Sequence, residues 1–443
     1  MRIVIATGLN SGQAEYMNMG DVAMLQAAVA RLLNLWPDAR IDVLTDSPSN
    51  LARYCPGASP LPREGCVCWI EDGVLLGKYH RRLPKWLSVR LSAMKMSIAI
   101  RWPTIVDRLT ALKLRYRDPR GFYESLSSLV EAQNKCDVLV LCGAGGFADS
   151  CREWNLFALA LMGTAIKRGK RVVMFGQGIG PLSDPFVLSW ARRVLPRVTL
   201  IGLRGTKGAQ ELLKAVGVHP AKIVTTGDDA IELANSVELP VQRNAIGINL
   251  RVAFYSDVDI KSVAKVRSAL HRSARLHDAA LLPVPIAFHE YARDHETIRQ
   301  LLAGFDDQSD GGSTLDSPRK IMEQTARCRV VVTGAYHAAV FALAQGIPVV
   351  GLSNSAYYSA KFEGLEELFD VGCTTVMLND PDCGEKLEAA IEEAWKSADE
   401  VRTPILNSVA RQIKSGQAAY MSIQNHCGPN SNMLNANDLA ASQ

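Results

Sequence analysis

The sequence has few of the cysteine patterns that mark metal sites or disulfide frameworks. Its ten cysteines include no Cys-x-x-Cys pair, and Cys66-x-Cys68 is isolated and too closely spaced for a common zinc site. Cysteines such as Cys136, Cys142 and Cys328 lie beside apolar strands, as buried thiols do, which indicates a reducing compartment. No group of carboxylates has the spacing of metal ligands. We therefore expect no metal site and a cytoplasmic protein.

Long apolar runs are also absent. No stretch reaches about 18 residues without a charge, so we expect no membrane-spanning helix. The first residues, MRIVIATGLNSG, read as a strand and a glycine turn rather than as a basic region followed by an apolar one, so we expect no signal peptide. No internal repeat of about 20 to 50 residues is visible.

Acidic residues are nearly missing from one segment. Residues 78–120 contain twelve Lys or Arg and two acids, Asp107 and Asp118, a net charge of +10 in a chain of net charge +4. Apolar residues, two of them tryptophans, alternate with the charges and predict one or two basic amphipathic helices broken near Pro103. Either the segment lies on an anionic membrane surface or steers an anionic substrate, or it is a solvated insertion packed on the core. No nucleic-acid module accompanies the charge, so we expect no nucleic-acid partner.

The length and the order of elements predict two domains. The 443 residues, 48% of them hydrophobic, are too many for one domain. Strands, glycine loops and helices alternate, which is typical of parallel sheets covered by helices. We expect an α/β fold with two Rossmann-like domains facing a cleft. The first spans 1–235 with the basic insertion at 77–121, the second spans 245–425, and a tail at 426–443, rich in Asn, is predicted to be disordered.

The segment Val330–Leu352, VVVTGAYHAAVFALAQGIPVVGL, has the clearest pattern in the chain. Val330–Thr333 is predicted to be a strand, Gly334 a turn, and Ala338–Gln345 a helix that a glycine ends. His337 then stands at a helix start beyond the carboxyl end of a parallel strand. Open α/β sheets bind ligands there, and free backbone N–H groups favour an anion. His337 is either a phosphate ligand or general acid, or a residue that only caps the helix.

Other polar residues are predicted at the same edge of the sheets. Asp21 precedes a helix and is either its N-cap or a base. Arg204 ends a strand near a helix start, where the dipole disfavours a cation, which hints at an anionic partner. Arg251 ends the first strand of the second domain, and Lys361 can bring a second positive charge into the cleft. Three further rim carboxylates are acceptor-binding or structural: Asp149, Asp228 and Asp229.

Short motifs at these positions resemble those of one protein family. In chain order they are NMGD (18–21), GAGGFAD (143–149), GQGIGPL (176–182), LRG (203–205), GDDA (227–230), NLR (249–251) and YHAAVFALAQGIPVVGL (336–352). This set resembles the polysaccharide pyruvyl transferase family over about residues 1–365. The resemblance implies a fold similar to the two-domain GT-B glycosyltransferases. It also implies transfer of a pyruvyl group from phosphoenolpyruvate, with no cofactor, to a sugar of a cell-surface polysaccharide or its lipid-linked precursor.

The resemblance also implies roles for particular residues. His337 and Arg204 are expected to contact phosphoenolpyruvate, and Arg251 or Lys361 is expected to supply the cation that the family has where this chain has Ala335. His337 suits the acid that protonates the enol carbon. Asp21, which we also assign as catalytic, suits the base that takes the proton of the sugar hydroxyl. The expected substrate-binding residues are Arg204, Gly145, Gly146, Gln177, Gly178, Arg251, Tyr336 and Lys361.

Two other functions stay open on the sequence. A glycosyltransferase of the same architecture would use a nucleotide sugar and would need a carboxylate for the ribose, for which Glu363 and Glu366 are placed. A non-catalytic member would bind a glycan or a partner at the membrane, and replacing His337 would leave its role intact.

Overall fold

The structure is a computed structural model that describes residues 1–8, 16–63, 84–116, 121–143, 145–205, 208–238, 240, 243–252, 258, 260–290 and 292–427. Its strands are β1 Arg2–Thr7, β2 Arg40–Thr45, β3 Ser59–Pro62, β4 Val138–Cys142, β5 Arg171–Gln177, β6 Leu200–Leu203, β7 Ile223–Thr225, β8 Ala245–Asn249, β9 Ala280–Pro283, β10 Val330–Thr333, β11 Val349–Ser353 and β12 Cys373–Met377. Its α-helices are α1 Met19–Leu35, α2 Pro48–Tyr54, α3 Lys85–Arg101, α4 Pro103–Tyr116, α5 Phe122–Lys135, α6 Arg152–Lys167, α7 Pro185–Val194, α8 Ala209–Ala215, α9 Ala230–Asn235, α10 Ile260–Leu276, α11 Asp294–Leu302, α12 Pro318–Ala326, α13 Tyr336–Ala344, α14 Ala356–Phe369 and α15 Cys383–Cys427.

Strands β1 to β7 form one sheet in the order β3-β2-β1-β4-β5-β6-β7, with every pairing parallel. Its central strand β4 has the wholly apolar sequence VLVLC, because helices cover both faces of the sheet. Each fully buried Val or Leu contributes about 1.5–3 kcal/mol to this core. The strand order reverses between β1 and β4, so their carboxyl ends open a crevice.

Strands β8 to β12 form a second parallel sheet in the order β12-β11-β10-β8-β9. Here the reversal lies between β10 and β8, and the register pairs Thr333 with Asn249 at their carboxyl ends. The turns that carry Gly334 and Arg251 therefore leave the sheet side by side. Two parallel sheets, each wound with helices, confirm the predicted α/β fold of two Rossmann-like units.

The helices between the sheets share one core. Helix α9 packs on both α1 and α13, and buried residues of the two units join in a single apolar cluster. Met19 N–H donates to Ile286 O (2.9 Å) and Phe288 N–H donates to Met17 O (2.8 Å), so the segment before α1 pairs with a loop of the second unit. These backbone bonds hold the start of α1 against the second unit.

The C-terminal helix corrects one sequence prediction. The pattern predicts a helix at Cys383–Ala398 and a separate last helix to about Tyr420, but α15 is continuous from Cys383 to Cys427 with Pro404 inside it. Pro404 has no N–H to give to the preceding turn. The helix continues because Leu387 is buried in the second unit before the proline, and Tyr420 is buried after it in the core shared with the first unit. Residues 428–443, most of the predicted tail, lie outside the described residues.

The basic segment forms two helices, α3 and α4, that meet at Trp102 and Pro103, as predicted. Helix α3 packs on α6, where Ile100 faces Gly163, and the buried Asp107 of α4 forms an ion pair with Arg168. The insertion is therefore anchored on the first unit. Its parts at 77–83 and 117–120 lie outside the described residues. Among the helices that the structure describes, none is both long enough and apolar enough to cross a membrane.

Candidate functional site

His337 lies where the two units meet. It is the second residue of α13, just beyond the turn at Gly334, and the residue is 6% exposed. Its ring packs against the first turn of α1: a Cβ on Gly20 would lie 2.0 Å from His337 Cγ, whereas real Cβ contacts stay above 3.0 Å. Only glycine at position 20 therefore lets the histidine approach the α1 backbone this closely.

A carboxylate and a guanidinium face the imidazole of His337. Asp228 Oδ2 lies 3.5 Å from His337 Nε2 and 3.2 Å from Arg204 Nη1, and that Arg204 nitrogen lies 3.5 Å from His337 Nε2. All three side chains are buried. Burial acts to raise the pKa of Asp228, but the hydrogen bond to His337 and the charges of His337 and Arg204 outweigh it and hold that pKa below its usual value. Asp228 is thus a charged partner that orients the imidazole.

Two cations flank the aromatic ring of Tyr336. The guanidinium carbon of Arg204 stands 4.4 Å from the ring centre and Lys361 Nζ stands 5.9 Å from it; Lys361 Nζ is also 5.2 Å from the ring of Tyr358. Burial, followed by the charge of Arg204, lowers the pKa of Lys361 to about 7. A nearby anion would raise that pKa again.

The role predicted for Asp21 as N-cap is wrong. Asn18 caps α1: its side-chain oxygen accepts from the N–H groups of Gly20 (3.1 Å) and Asp21 (3.4 Å). Asp21 lies within the first turn, near His337. Burial raises the pKa of Asp21, and the charges of His337, Arg204 and Lys361 oppose that rise. The Asp21 carboxyl group therefore does not cap α1, and it lies between the two units near His337.

A cavity of about 400 Å³ opens beside Arg204 and Lys361. Its lining residues are Gly145, Gly178, Ile179, Gly180, Pro181, Arg204, Gly205, Gly208, Ala209, Leu212, Tyr336, Ala360, Lys361, Glu363 and Gly364. A Cβ on Gly178 would approach Arg204 Nε to 2.9 Å, so the glycine makes room for the guanidinium. The cavity has the size of a small-molecule site, with mostly apolar walls and two cations at one end. No group of three or more His, Cys, Asp or Glu suited to a metal ion occurs in the part of the chain that the structure describes.

Three residues that we expected to bind substrate make contacts within the protein instead. The Gln177 amide donates to Leu141 O (3.2 Å) and Phe175 O (2.9 Å), and the Cα of Gly146 packs against the indole of Trp154. The Arg251 guanidinium donates to both carboxylate oxygens of the buried Asp294, at 2.6 and 2.9 Å.

Asp294 anchors a network that the sequence analysis missed. Its carboxylate also accepts from Asn249 Nδ2 and from the N–H groups of Ile286 and Ala287, each at 2.9 Å. No local signal marks it, because its partners come from β8 and from the loop after β9.

The structure also separates the rim carboxylates. Asp149 accepts from the N–H and hydroxyl of Ser183 and so stabilises a loop. Asp229, next to Asp228, turns the other way and pairs with Arg31 and the Tyr420 hydroxyl (3.1 Å). Asp228 alone of the three contacts His337 and Arg204.

Comparisons with known proteins identify the fold and the family. The structure resembles a glycosyltransferase from Rickettsia africae (TM-score 0.53, 11% identity, 97% and 99% of the two chains covered) and the S. aureus MnaA–UDP complex (0.54, 13%, 96% and 96%). It also resembles a UDP-GlcNAc 2-epimerase from Neisseria meningitidis bound to UDP-GlcNAc (0.50, 9%, 96% and 100%). These likenesses establish a GT-B-like fold. A search of curated proteins gives no match.

The match to a family is more specific. The model of the family described as polysaccharide pyruvyl transferase matches residues 18–356, which include the start of α1, Arg204, Asp228 and His337. This span is well over half of the chain. The protein therefore belongs to the polysaccharide pyruvyl transferase family and is a transferase.

Proposed function

We propose that the protein transfers the pyruvyl group of phosphoenolpyruvate to a sugar of a cell-surface polysaccharide or of its lipid-linked precursor. The observation that carries the proposal is that Arg204 and Lys361 line one cavity, and that His337 Nε2 lies 3.5 Å from Arg204 Nη1 at the start of α13. Two cations and a titratable group at a helix start suit a donor that carries a carboxylate and a phosphate.

The donor binds at the cationic end of the cavity. Arg204 supplies a forked guanidinium for the carboxylate or the phosphate, and the N–H groups that begin α13 supply further donors. Lys361 is the second cation, in place of the arginine that the family carries at Ala335. Arg251, the other candidate, is held by both oxygens of Asp294, so Lys361 is the better placed of the two.

The chemistry follows from the same side chains. Protonation of the enol methylene of phosphoenolpyruvate develops positive charge at the central carbon, which a sugar hydroxyl attacks. A second hydroxyl displaces the phosphate, and the cyclic ketal and inorganic phosphate are the products. His337, oriented by Asp228, is the proton donor, and Asp21 takes a proton from an attacking hydroxyl. The charge of Arg204 stabilises the phosphate as it leaves.

Titration calorimetry and thermal unfolding with phosphoenolpyruvate test the proposal. Wild type is expected to gain about 2.7 kcal/mol of stability at a ligand concentration of a hundred times Kd. Arg204→Lys, which keeps the charge but loses the fork, is expected to bind more weakly. His337→Gln is expected to lose release of inorganic phosphate in the presence of a saccharide acceptor, whereas His219→Gln, on an exposed histidine outside the cavity, is the matched control. A folded wild type that shows neither binding heat nor thermal stabilisation with phosphoenolpyruvate would contradict the proposal.

One observation favours a second candidate, a glycosyltransferase that uses a nucleotide sugar. Glu363 lines the cavity, where a carboxylate can accept from ribose hydroxyls, whereas Glu366 accepts from the Thr375 hydroxyl (2.7 Å). Titration with UDP and a panel of nucleotide sugars separates the two functions. Stabilisation by a nucleotide sugar alone, reduced in Glu363→Gln, would select the glycosyltransferase.

A further inference from the structure

Helix α4 exposes an apolar stripe on the side away from the protein. Ile105, Leu109, Leu112 and Tyr116 follow one another at spacings of four, three and four residues, and Trp102 precedes them by one further turn. These five side chains are between 45% and 78% exposed. At about 100° per residue they fall within one narrow sector of the helix surface.

The opposite face of α4 already has its partners. Val106 and Leu114 are buried in a small apolar cluster with α5 and α6, and Asp107 pairs with Arg168. The exposed stripe is therefore not an ill-packed core face. It is a second apolar surface on a helix whose opposite face is packed against the protein.

Basic side chains border the stripe on both sides. Arg108 and Arg115 lie along one edge and Lys113 along the other, and all three are exposed. The only acid between residues 84 and 116 is Asp107, which is buried against Arg168. The surface thus combines apolar residues with a charge of one sign.

We propose that α4 docks this stripe on the surface of an anionic lipid bilayer. A helix lying in the bilayer interface needs an apolar face bordered by Lys and Arg, which is the arrangement of α4. Trp102 and Tyr116 stand at the two ends of the stripe, roughly 21 Å apart along the helix, and tryptophan and tyrosine prefer the headgroup level. A second copy of the chain is disfavoured as the occupant, because two such faces would bring like charges together.

Docking goes beyond the transfer reaction and does not depend on it. It would hold the enzyme at the surface where a lipid-linked saccharide is found. The experiment uses flotation of the full chain with phosphatidylcholine vesicles, with and without phosphatidylglycerol. Wild type is expected to float with the anionic vesicles, less at high salt because the Debye length falls from about 10 Å at 0.1 M to about 3 Å at 1 M.

Two pairs of variants separate the apolar contribution from the charge. Leu109→Ser with Leu112→Ser is expected to weaken vesicle binding at least about tenfold, from the lost burial of two leucines. The control is Leu276→Ser with Met421→Ser, which are exposed elsewhere and are expected to bind as wild type. All of these side chains are largely exposed, so the fold is expected to survive, and thermal unfolding checks it.

The charge pair has its own control. Arg108→Gln with Arg115→Gln is expected to weaken binding roughly thirtyfold, at about 1 kcal/mol for each cation near an anionic surface. Lys265→Gln with Arg275→Gln removes two exposed cations from α10 and is expected to change little. A wild type that does not bind anionic vesicles, or that binds neutral ones equally, would overturn the proposal. So would a dimer in vesicle-free sedimentation that the Leu109 and Leu112 variant abolishes, since the stripe would then bind a second copy.

Discussion

The affinity for phosphoenolpyruvate is expected to fall steeply above neutral pH because of Lys361. Burial, and then the charge of Arg204, lower the pKa of this lysine to about 7, so about half of the Lys361 side chains are neutral at pH 7 in the free protein. If the donor binds the protonated form, Kd rises from pH 7 to pH 9 by about fiftyfold, or about 2.3 kcal/mol. The donor's phosphate offsets this very little, because with a second pKa near 6 it is already about nine-tenths doubly charged at pH 7.

Calorimetry on three proteins tests this reasoning. Wild type is expected to take up about half a proton on binding at pH 7, seen as a dependence of the heat on the buffer. Lys361→Arg keeps its charge at every pH used, so its Kd is expected to stay nearly constant from pH 7 to pH 9. Lys361→Met is expected to bind weakly and with equally little dependence on pH.

The Lys361→Arg variant shows whether the pH dependence of Kd comes from Lys361. Asp21 lies close enough to Lys361 to affect its charge, and ionisation of Asp21 would weaken anion binding in the same direction. A pH dependence as steep in Lys361→Arg as in wild type would assign the effect to another group and refute the role given to the lysine. A wild-type Kd that is constant from pH 7 to pH 9 would refute it as well.

Three further substitutions probe the surrounding structure. Arg251→Met leaves Asp294 charged and buried, and is expected to lower the free energy of unfolding by about 3 kcal/mol in urea titration. Tyr420→Phe removes one hydrogen bond to Asp229 and is expected to cost about 1 kcal/mol in the same assay. Gly20→Ala places a methyl group on the imidazole ring of the site, so it is expected to cost about 1–3 kcal/mol and to abolish the thermal response to phosphoenolpyruvate.

Each substitution has a control or an opposing result. Arg293→Met breaks only a surface ion pair and is expected to leave the free energy of unfolding unchanged. If it lowers that free energy as much as Arg251→Met does, the buried pair with Asp294 has no special contribution to stability. Tyr116→Phe is the control for the buried tyrosine because Tyr116 is 78% exposed. A Gly20→Ala protein with wild-type stability and ligand response would show that α1 and the histidine do not pack as described.

Most of the fold could be predicted from the sequence because its signals are local. Short β-branched runs, the glycines that follow them and the apolar spacing of the helices depend on neighbours within a few residues. The same local signals predict that His337 lies at a helix start and that the helices of the basic segment are interrupted near Pro103. Local signals give the wrong result at Pro404. Proline predicts a helix end there, but the helix continues because its residues before and after Pro404 are buried.

The site was only partly predictable, because its members meet through tertiary contacts. Asp228 and Asp229 are adjacent in sequence, yet one faces His337 and the other faces Arg31; the direction depends on α1 and α15 packing from opposite ends of the chain. Likewise, Arg251 and Lys361 look equally suited to an anion, but Asp294 engages only the first.

Local patterns in the sequence predict the α/β class, the two units and the glycine loops, and the order of the motifs indicates the family. These follow from composition, periodicity and motif order, which need no knowledge of long-range contacts. Packing of the helices and sheets determines which carboxylate faces His337, which cation lies with Arg204 beside the Tyr336 ring, and which side of α4 is exposed. Those choices depend on distances between atoms of residues far apart in the chain, and such distances are set only when helices and sheets pack.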